Sequence, residues 1–247
     1  MWILFSPEYI EYTILGLVLL PGLIFACITS AKVNITFNKY NEVHSSKGYS
    51  GEGVAKMILE HKGIYDIQIA KGYSDDLIDN YNPQTGVVTL SNKVYSGTSI
   101  SALGVAAHEI GHVIQHSEGY FPLKVRTVVA KTSSIMSTFV WPLIFFGIIF
   151  DFAYIGGVIG KVFLWLGVIF FSVSLLFSLV TLPVELDASK RGLKLLMEVG
   201  ALDAIEVKGA KKVLSAAANT YVAGIVVSIL QLLRFILFFV LNSKNRD

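Results

Sequence analysis

Two histidines and a glutamate stand within five consecutive residues, His108-Glu109-Ile110-Gly111-His112. On a helix, side chains four residues apart lie on the same face, so His108 and His112 can offer two imidazoles to one metal ion. Glu109 lies beside them, where its carboxylate can take a proton from a water molecule that the metal activates. The spacing therefore predicts a metal centre with a general base next to it.

This spacing is the H-E-x-x-H arrangement of zinc metalloproteases. The alternative is that the pair lies on an ordinary amphipathic helix and binds nothing. The small residues Ala106, Ala107 and Gly111 favour the metal site, because they allow a strand, a substrate or a second helix to approach closely. Residues 99–107 predict the first turns of the helix, with Ser99 as its N-cap.

A catalytic zinc ion usually has three protein ligands and one open position. His116 is the nearest further histidine, but it lies about 12 Å from His108 along a straight helix. Zinc–nitrogen bonds of about 2 Å cannot span that distance. His44 and His61 have no supporting spacing, and we interpret them as surface residues. The remaining candidates are later glutamates: Glu118, Glu185, Glu198 and Glu206.

Glu185 is the favoured third ligand, because it follows a long uncharged segment directly and stands in a dense polar cluster, residues 182–191. Glu118 is too close along the chain, at the end of the same helix. Two predicted membrane crossings separate His112 from Glu185, so both residues are expected on the same side of the membrane. The alternative is that Glu185 only caps the next helix and pairs with a lysine or arginine.

The composition is that of a membrane protein. Of the 247 residues, 53% are hydrophobic and 15% are charged, and the mean hydropathy is +0.62. A formal net charge of +2 gives no strongly basic surface, so no nucleic-acid partner is expected. The single cysteine, Cys27, excludes an internal disulfide framework.

Long apolar segments predict four membrane spans, at about residues 10–29, 132–150, 162–184 and 220–241. A cleaved signal peptide fits the first segment poorly, because Glu8 and Glu11 precede it and no basic residue does. Arg234, in the last segment, is costly in lipid unless it reaches the interface or pairs. Lysines and arginines in residues 185–212 favour a cytoplasmic position for the metal site of this multi-pass cell-membrane protein.

The polar part of the chain, before residue 121, predicts a small sheet packed on the metal helix. A helix is expected at residues 54–59 and strands at 65–69 and 87–90, with a turn at 81–86. Strand 87–90 is the candidate edge strand that would hold a substrate backbone, and the alternative is a plain core strand. Residues 121–131 predict a helix at the membrane surface or a solvated linker helix.

Together these segments resemble the YugP-like neutral zinc membrane metallopeptidases of bacteria. The resemblance covers residues 50–55, 81–83, 90–91, 99–102, 106–112, 115–116, 183–189 and 220–223. It implies a membrane-embedded zinc peptidase fold with Glu185 as the third ligand. The chain is more distantly similar to the HtpX class, in which an aspartate four residues after the glutamate supports a ligand histidine. Here Ser189 stands at that position, with Asp187 two residues after the glutamate, so the residue that orients the histidines is left open.

The sequence thus predicts a mainly α membrane protein with about four transmembrane helices and a small α+β zincin-like domain. We expect five parts: an N-terminal anchor (1–30), a catalytic domain with the H-E-x-x-H helix (31–131), a transmembrane hairpin (132–184), a helical segment with the third ligand (185–219) and a C-terminal transmembrane helix (220–247).

The expected function is that of a gluzincin-like zinc metalloendopeptidase at the lipid bilayer. One Zn²⁺ ion is expected on His108, His112 and Glu185, with Glu109 as general base. The substrate is a polypeptide, and membrane proteins, signal peptides and soluble chains all stay open, as does a regulatory membrane partner. Candidates for the oxyanion donor are Arg191, His116, Tyr120 and Tyr221.

The rival interpretation is a non-proteolytic membrane scaffold or regulatory partner whose zinc site is structural or vestigial. A structural zinc site is normally closed by four protein ligands, often cysteines. The single cysteine of this chain weighs against it.

Overall fold

The computed structural model describes residues 15–73, 79–152 and 157–244. The start of the first predicted span, residues 10–14, and residues 153–156 of the predicted hairpin connection lie outside the described residues. Within the described ranges the helices are α1 (Leu20–Asn41), α2 (Gly51–His61), α3 (Asn92–Tyr95), α4 (Ile100–Ser117), α5 (Phe121–Phe152), α6 (Gly157–Glu198) and α7 (Ala204–Lys244). The strands there are β1 (Gln68–Lys71), β2 (Asn80–Asn82) and β3 (Val87–Leu90).

The chain is a mainly helical, multi-pass membrane protein with a small sheet, as its sequence predicts. Among the described residues, four helical segments are long and apolar enough to cross a membrane: Leu15–Asn41, Phe121–Phe150, Val158–Glu198 and Ala204–Phe239. Each of the four extends well beyond its predicted span at one end or at both. Residues 121–131 form the first turns of α5 rather than a separate surface helix, and Glu185 lies inside α6.

The described residues divide into two compact units. The first is drawn from residues 1–28, 125–181 and 221–247, and the second from residues 29–124 and 182–220. The first unit has an aromatic-rich core, in which the Phe171 and Phe235 rings meet edge to face. The second unit contains the sheet and every residue of the predicted metal site. The predicted five-part division of the chain stays a prediction.

The sheet of the second unit corrects one sequence-based expectation. Among the described residues its strand order is β1-β3-β2, with β1 parallel and β2 antiparallel to β3. Strand β3 is therefore central, and the prediction that it is the edge strand holding a substrate is wrong. Val88 and Leu90 are fully buried, so the alternative of a core strand is correct. Strand β2 was not expected, because the asparagines at both of its ends are typical of turns.

Helix α4 lies at the centre of the second unit. Its start is the predicted one: the Ser99 side chain accepts a hydrogen bond from the Ala102 backbone N–H at 3.1 Å. The helix ends at Ser117, and Gly119, two residues later, has a φ of +65°, a conformation that favours glycine. Buried residues lie on nearly all sides of α4 between Ile100 and Gln115, so neighbouring elements surround it.

Candidate metal centre

Three potential metal ligands converge between α4 and α6. The Nε2 atom of His108 lies 3.3 Å from Glu185 Oε2, and the Nε2 atom of His112 lies 3.6 Å from the same oxygen. One ligand atom from each of the three side chains can be chosen so that all lie within 4.8 Å of one another. His112 and Glu185 are buried, and His108 is half-buried. These are the residues that the sequence predicts as the metal site.

The two nitrogen–oxygen spacings at Glu185 fit a zinc ion. In a tetrahedral site with bonds of about 2.0–2.1 Å, ligand atoms lie about 3.3 Å apart. Both nitrogen–oxygen distances, 3.3 and 3.6 Å, are close to that separation. A set of two imidazoles and one carboxylate also leaves a fourth position open, as catalytic zinc sites do.

The close contact of α4 with α6 depends on two glycines. A Cβ atom at Gly111 would stand 2.3 Å from the Ala188 carbonyl oxygen, and one at Gly192 would stand 2.6 Å from the Ala107 carbonyl oxygen. No side chain fits at either position without moving a backbone. The small residues beside the histidines therefore admit a second helix, and that helix carries Glu185.

Each histidine uses its other ring nitrogen in a hydrogen bond. His108 Nδ1 lies 3.0 Å from Ser189 Oγ, and His112 Nδ1 lies 3.0 Å from Gln115 Oε1. Such contacts fix the orientation of ligating imidazoles. The sequence left the role of Ser189 open and assigned none to Gln115. The available signal for the contact of Gln115 with His112 was the position of Gln115, three residues later on the same helix face.

Asp187 is not one of the three potential metal ligands. Its Oδ2 atom accepts hydrogen bonds from Gln115 Nε2 at 2.8 Å and from Arg191 Nε at 2.5 Å. The Arg191 guanidinium also donates to Glu118, at the end of α4, and lies over the Tyr120 ring, 5.4 Å from its centroid. Arg191 thus ties α6 to the end of α4.

Glu109 is a buried carboxylate in the centre of the site. It makes no hydrogen bond with the part of the chain that the structure describes, and its exposed fraction is 7%. Burial raises the pKa of the Glu109 carboxyl, while the nearby His108 and His112 act to lower it. A carboxylate with a raised pKa is a stronger base.

The imidazole of His112 is under opposing influences. Burial alone would lower the pKa of His112, but the nearby Glu185 and Glu109 carboxylates and the hydrogen bond with Gln115 together more than offset this, and the net shift is upward. The position that attracts a proton to Nε2 would also attract a metal cation, and metal binding at such sites releases protons.

Three of the four candidates for the oxyanion donor, His116, Arg191 and Tyr120, lie in the second unit. His116 Nδ1 lies 3.0 Å from the Tyr81 hydroxyl, so strand β2 contacts the last turns of α4. Arg191 and Tyr120 contact each other, as described above. Tyr221 belongs to the first unit. The contact of Tyr81 with His116 was not predicted, because residues 81–86 indicate a turn in the sequence.

Comparisons with known proteins identify the family of this chain. A family described as "Putative neutral zinc metallopeptidase" matches residues 15–240. The chain is 41% identical over 217 residues to "Putative membrane protease YugP" of Bacillus subtilis (strain 168), covering 87% of this chain and 92% of the relative. No solved structure matches the chain. The chain belongs to this family of neutral zinc metallopeptidases.

Proposed function

We propose that this protein is a membrane-embedded zinc endopeptidase in which His108, His112 and Glu185 hold one zinc ion and Glu109 is the general base. The observation that carries the proposal is the approach of both Nε2 atoms, at 3.3 and 3.6 Å, to one carboxylate oxygen of Glu185. A zinc ion there would supply an electrophile that polarises the scissile carbonyl and acidifies a water molecule.

Glu109 performs the proton transfers in this proposal. Its carboxylate takes a proton from the attacking water and gives it to the nitrogen of the leaving amine as the peptide bond breaks. Its raised pKa strengthens it as a base in the first step. The absence of a hydrogen bond between Glu109 and the described residues supports this role, because no protein donor competes for the oxygens.

The reaction uses a polypeptide substrate and takes place at the bilayer. The apolar helices support a membrane location, and the family supports peptide hydrolysis. Membrane proteins, signal peptides and soluble polypeptides are all substrates to be tried. The positive charges of residues 185–212 support a cytoplasmic site.

The test is cleavage of a soluble unfolded polypeptide and of a membrane protein by the purified full chain. Chelator should abolish cleavage, and added zinc should restore it. Glu109→Gln should keep its zinc and lose activity about 10²–10⁴-fold, because the amide cannot accept the proton. Glu60→Gln, at an exposed position of α2, is the matched control and should be fully active. Equal cleavage by wild type and Glu109→Gln would contradict the proposal.

A further inference from the structure

Gln115 uses all of its hydrogen-bonding groups between α4 and α6. It has an exposed fraction of 0%. Its Oε1 atom lies 3.0 Å from His112 Nδ1, and its Nε2 atom donates to the Val184 carbonyl at 2.9 Å and to Asp187 Oδ2 at 2.8 Å. A side chain in this position can couple the orientation of the Asp187 carboxylate to that of the His112 imidazole.

The chemistry of these partners permits one orientation of the amide. A glutamine amide has two N–H donors on the nitrogen and acceptor sites on the oxygen. The Val184 carbonyl and the Asp187 carboxylate only accept hydrogen bonds, so Gln115 Nε2 must face both of them. The oxygen of Gln115 is therefore left for His112.

This orientation determines where the proton of His112 lies. Because Gln115 Oε1 can only accept, the Nδ1 atom of His112 must be the donor. A neutral imidazole protonated on Nδ1 has its lone pair on Nε2. That Nε2 atom faces Glu185 at 3.6 Å, in the position required of a metal ligand.

The Asp187 carboxylate is itself fixed in place. Arg191 donates a hydrogen bond to the Oδ2 atom of Asp187 at 2.5 Å and is itself held by Glu118. The Asp187 carboxylate is therefore kept in place as a hydrogen-bond acceptor for Gln115. The contact of His108 is different. Ser189 Oγ lies 3.0 Å from His108 Nδ1, and a hydroxyl can donate or accept, so it accommodates either tautomer.

We propose that Gln115 is a positioning residue that transmits the orientation of Asp187 to His112 and fixes the tautomer whose Nε2 lone pair meets the zinc. The proposal rests on the proposed zinc site. It assigns Asp187 an effect on metal affinity without making it a ligand, and it gives Ser189 a separate and independent effect through His108.

The test is a double-mutant cycle read out as zinc affinity. The full chain is purified, stripped of metal and titrated with zinc against a competing chelator. The variants are Gln115→Met, which keeps the length of the side chain without its polar atoms, Asp187→Ala, and the two together. Gln115→Met should weaken zinc binding about 10–100-fold. Asp187→Ala should weaken zinc binding when it is the only substitution. In the Gln115→Met background it should have little further effect, because the two residues act in series.

Ser189→Ala is the matched control, because Ser189 contacts the other histidine. Its effect on zinc affinity should multiply with that of Asp187→Ala, as expected for independent contacts. The thermal midpoint of each zinc-free variant is measured alongside, so that a general loss of stability is separated from a loss of zinc affinity.

Two outcomes would overturn the inference and leave the zinc site standing: wild-type affinity in Gln115→Met, or fully multiplicative effects of Gln115→Met and Asp187→Ala. If Gln115→Met does not fold, Asp187→Ala alone decides, since unchanged zinc affinity in that variant contradicts the transmission. A wild-type chain that binds no zinc would instead contradict the proposed function.

Discussion

Gly111 lies directly against the backbone of Ala188, so close that a Cβ atom on the glycine would stand 2.3 Å from the Ala188 carbonyl oxygen. Gly192 repeats this contact in the opposite direction, against the Ala107 carbonyl oxygen at 2.6 Å. The two helices therefore meet backbone to backbone beside the metal ligands. This contact brings Glu185 of α6 to the histidines of α4.

The first prediction is that Gly111→Ala damages the metal site more than the fold. The added methyl group must push α4 and α6 apart, and overpacking of this kind costs about 1–3 kcal/mol of stability. A displacement of about 1 Å at a catalytic site can cost about 10²-fold in rate. We expect weaker zinc binding and at least that loss of peptidase activity, measured on the purified chain.

Gly224→Ala is the control for this substitution. A Cβ atom at Gly224, also in a helix, has no neighbour within 4 Å among the described residues. It should be neutral or stabilise by up to about 1 kcal/mol through helix propensity. Equal effects of the two substitutions would show that the close contact at Gly111 has no special role.

The second prediction distinguishes Glu185, the proposed third zinc ligand, from Asp187, two residues later. Glu185→Ala leaves two imidazoles, fewer than the usual three protein ligands, so it should purify largely without zinc. Asp187→Ala removes a group that acts through Gln115, so it should purify with zinc but bind it more weakly. Metal content by mass spectrometry is the measurement. An empty Asp187 variant with a fully loaded Glu185 variant would reverse the assignment.

The parts of the site that could be predicted are those with a local or topological signal. His108 and His112 share a helix face through their spacing, and Glu185 follows from the return of the chain after two crossings. Gln115 had a local signal in its spacing from His112, but its contacts with α6 had none. Asp187 and Arg191 gave no such signal, because their contacts depend on how closely α4 and α6 pack. The position of β3 within the sheet was predicted wrongly for a similar reason. Its apolar run predicts a strand, but its central position depends on pairing with β1 and β2.

The third prediction concerns the side of the membrane on which the site lies. The N-terminal segment before the first span carries acidic residues, whereas residues 185–212 are rich in lysine and arginine, and positive segments tend to stay inside. Lys47 is exposed in the second unit. In a Cys27→Ser background, Lys47→Cys should resist a membrane-impermeant thiol reagent in intact cells and react after permeabilisation.

Lys161→Cys is the control for the labelling. Lys161 is exposed near the start of α6. It precedes Glu185 on that helix by about 36 Å, which exceeds a hydrocarbon core of about 30 Å. It should therefore react in intact cells. The reverse pattern at the two positions would place the site on the outer side.

The last prediction is a pH-dependent stability that arises from Asp79. This carboxyl accepts hydrogen bonds from the backbone N–H of Ser91 at 2.8 Å and from its hydroxyl at 3.2 Å. Burial nonetheless raises the pKa of Asp79 above its ordinary value, and the Ser91 hydrogen bonds offset only part of that shift. The folded protein therefore holds the Asp79 proton more tightly than the unfolded chain does.

The sign of the effect follows from this difference in proton affinity. An acid with a raised folded-state pKa contributes stability below its unfolded pKa, and the contribution is lost as the pH rises through the folded pKa. Asp79→Asn keeps an acceptor for Ser91 and does not titrate. From about pH 4 upward, the thermal midpoint of wild type should fall relative to that of Asp79→Asn. The midpoints are measured on the full chain with chelator present, so that zinc release contributes nothing to the difference. A wild-type midpoint that stays constant or rises relative to that of Asp79→Asn as the pH increases would contradict this prediction.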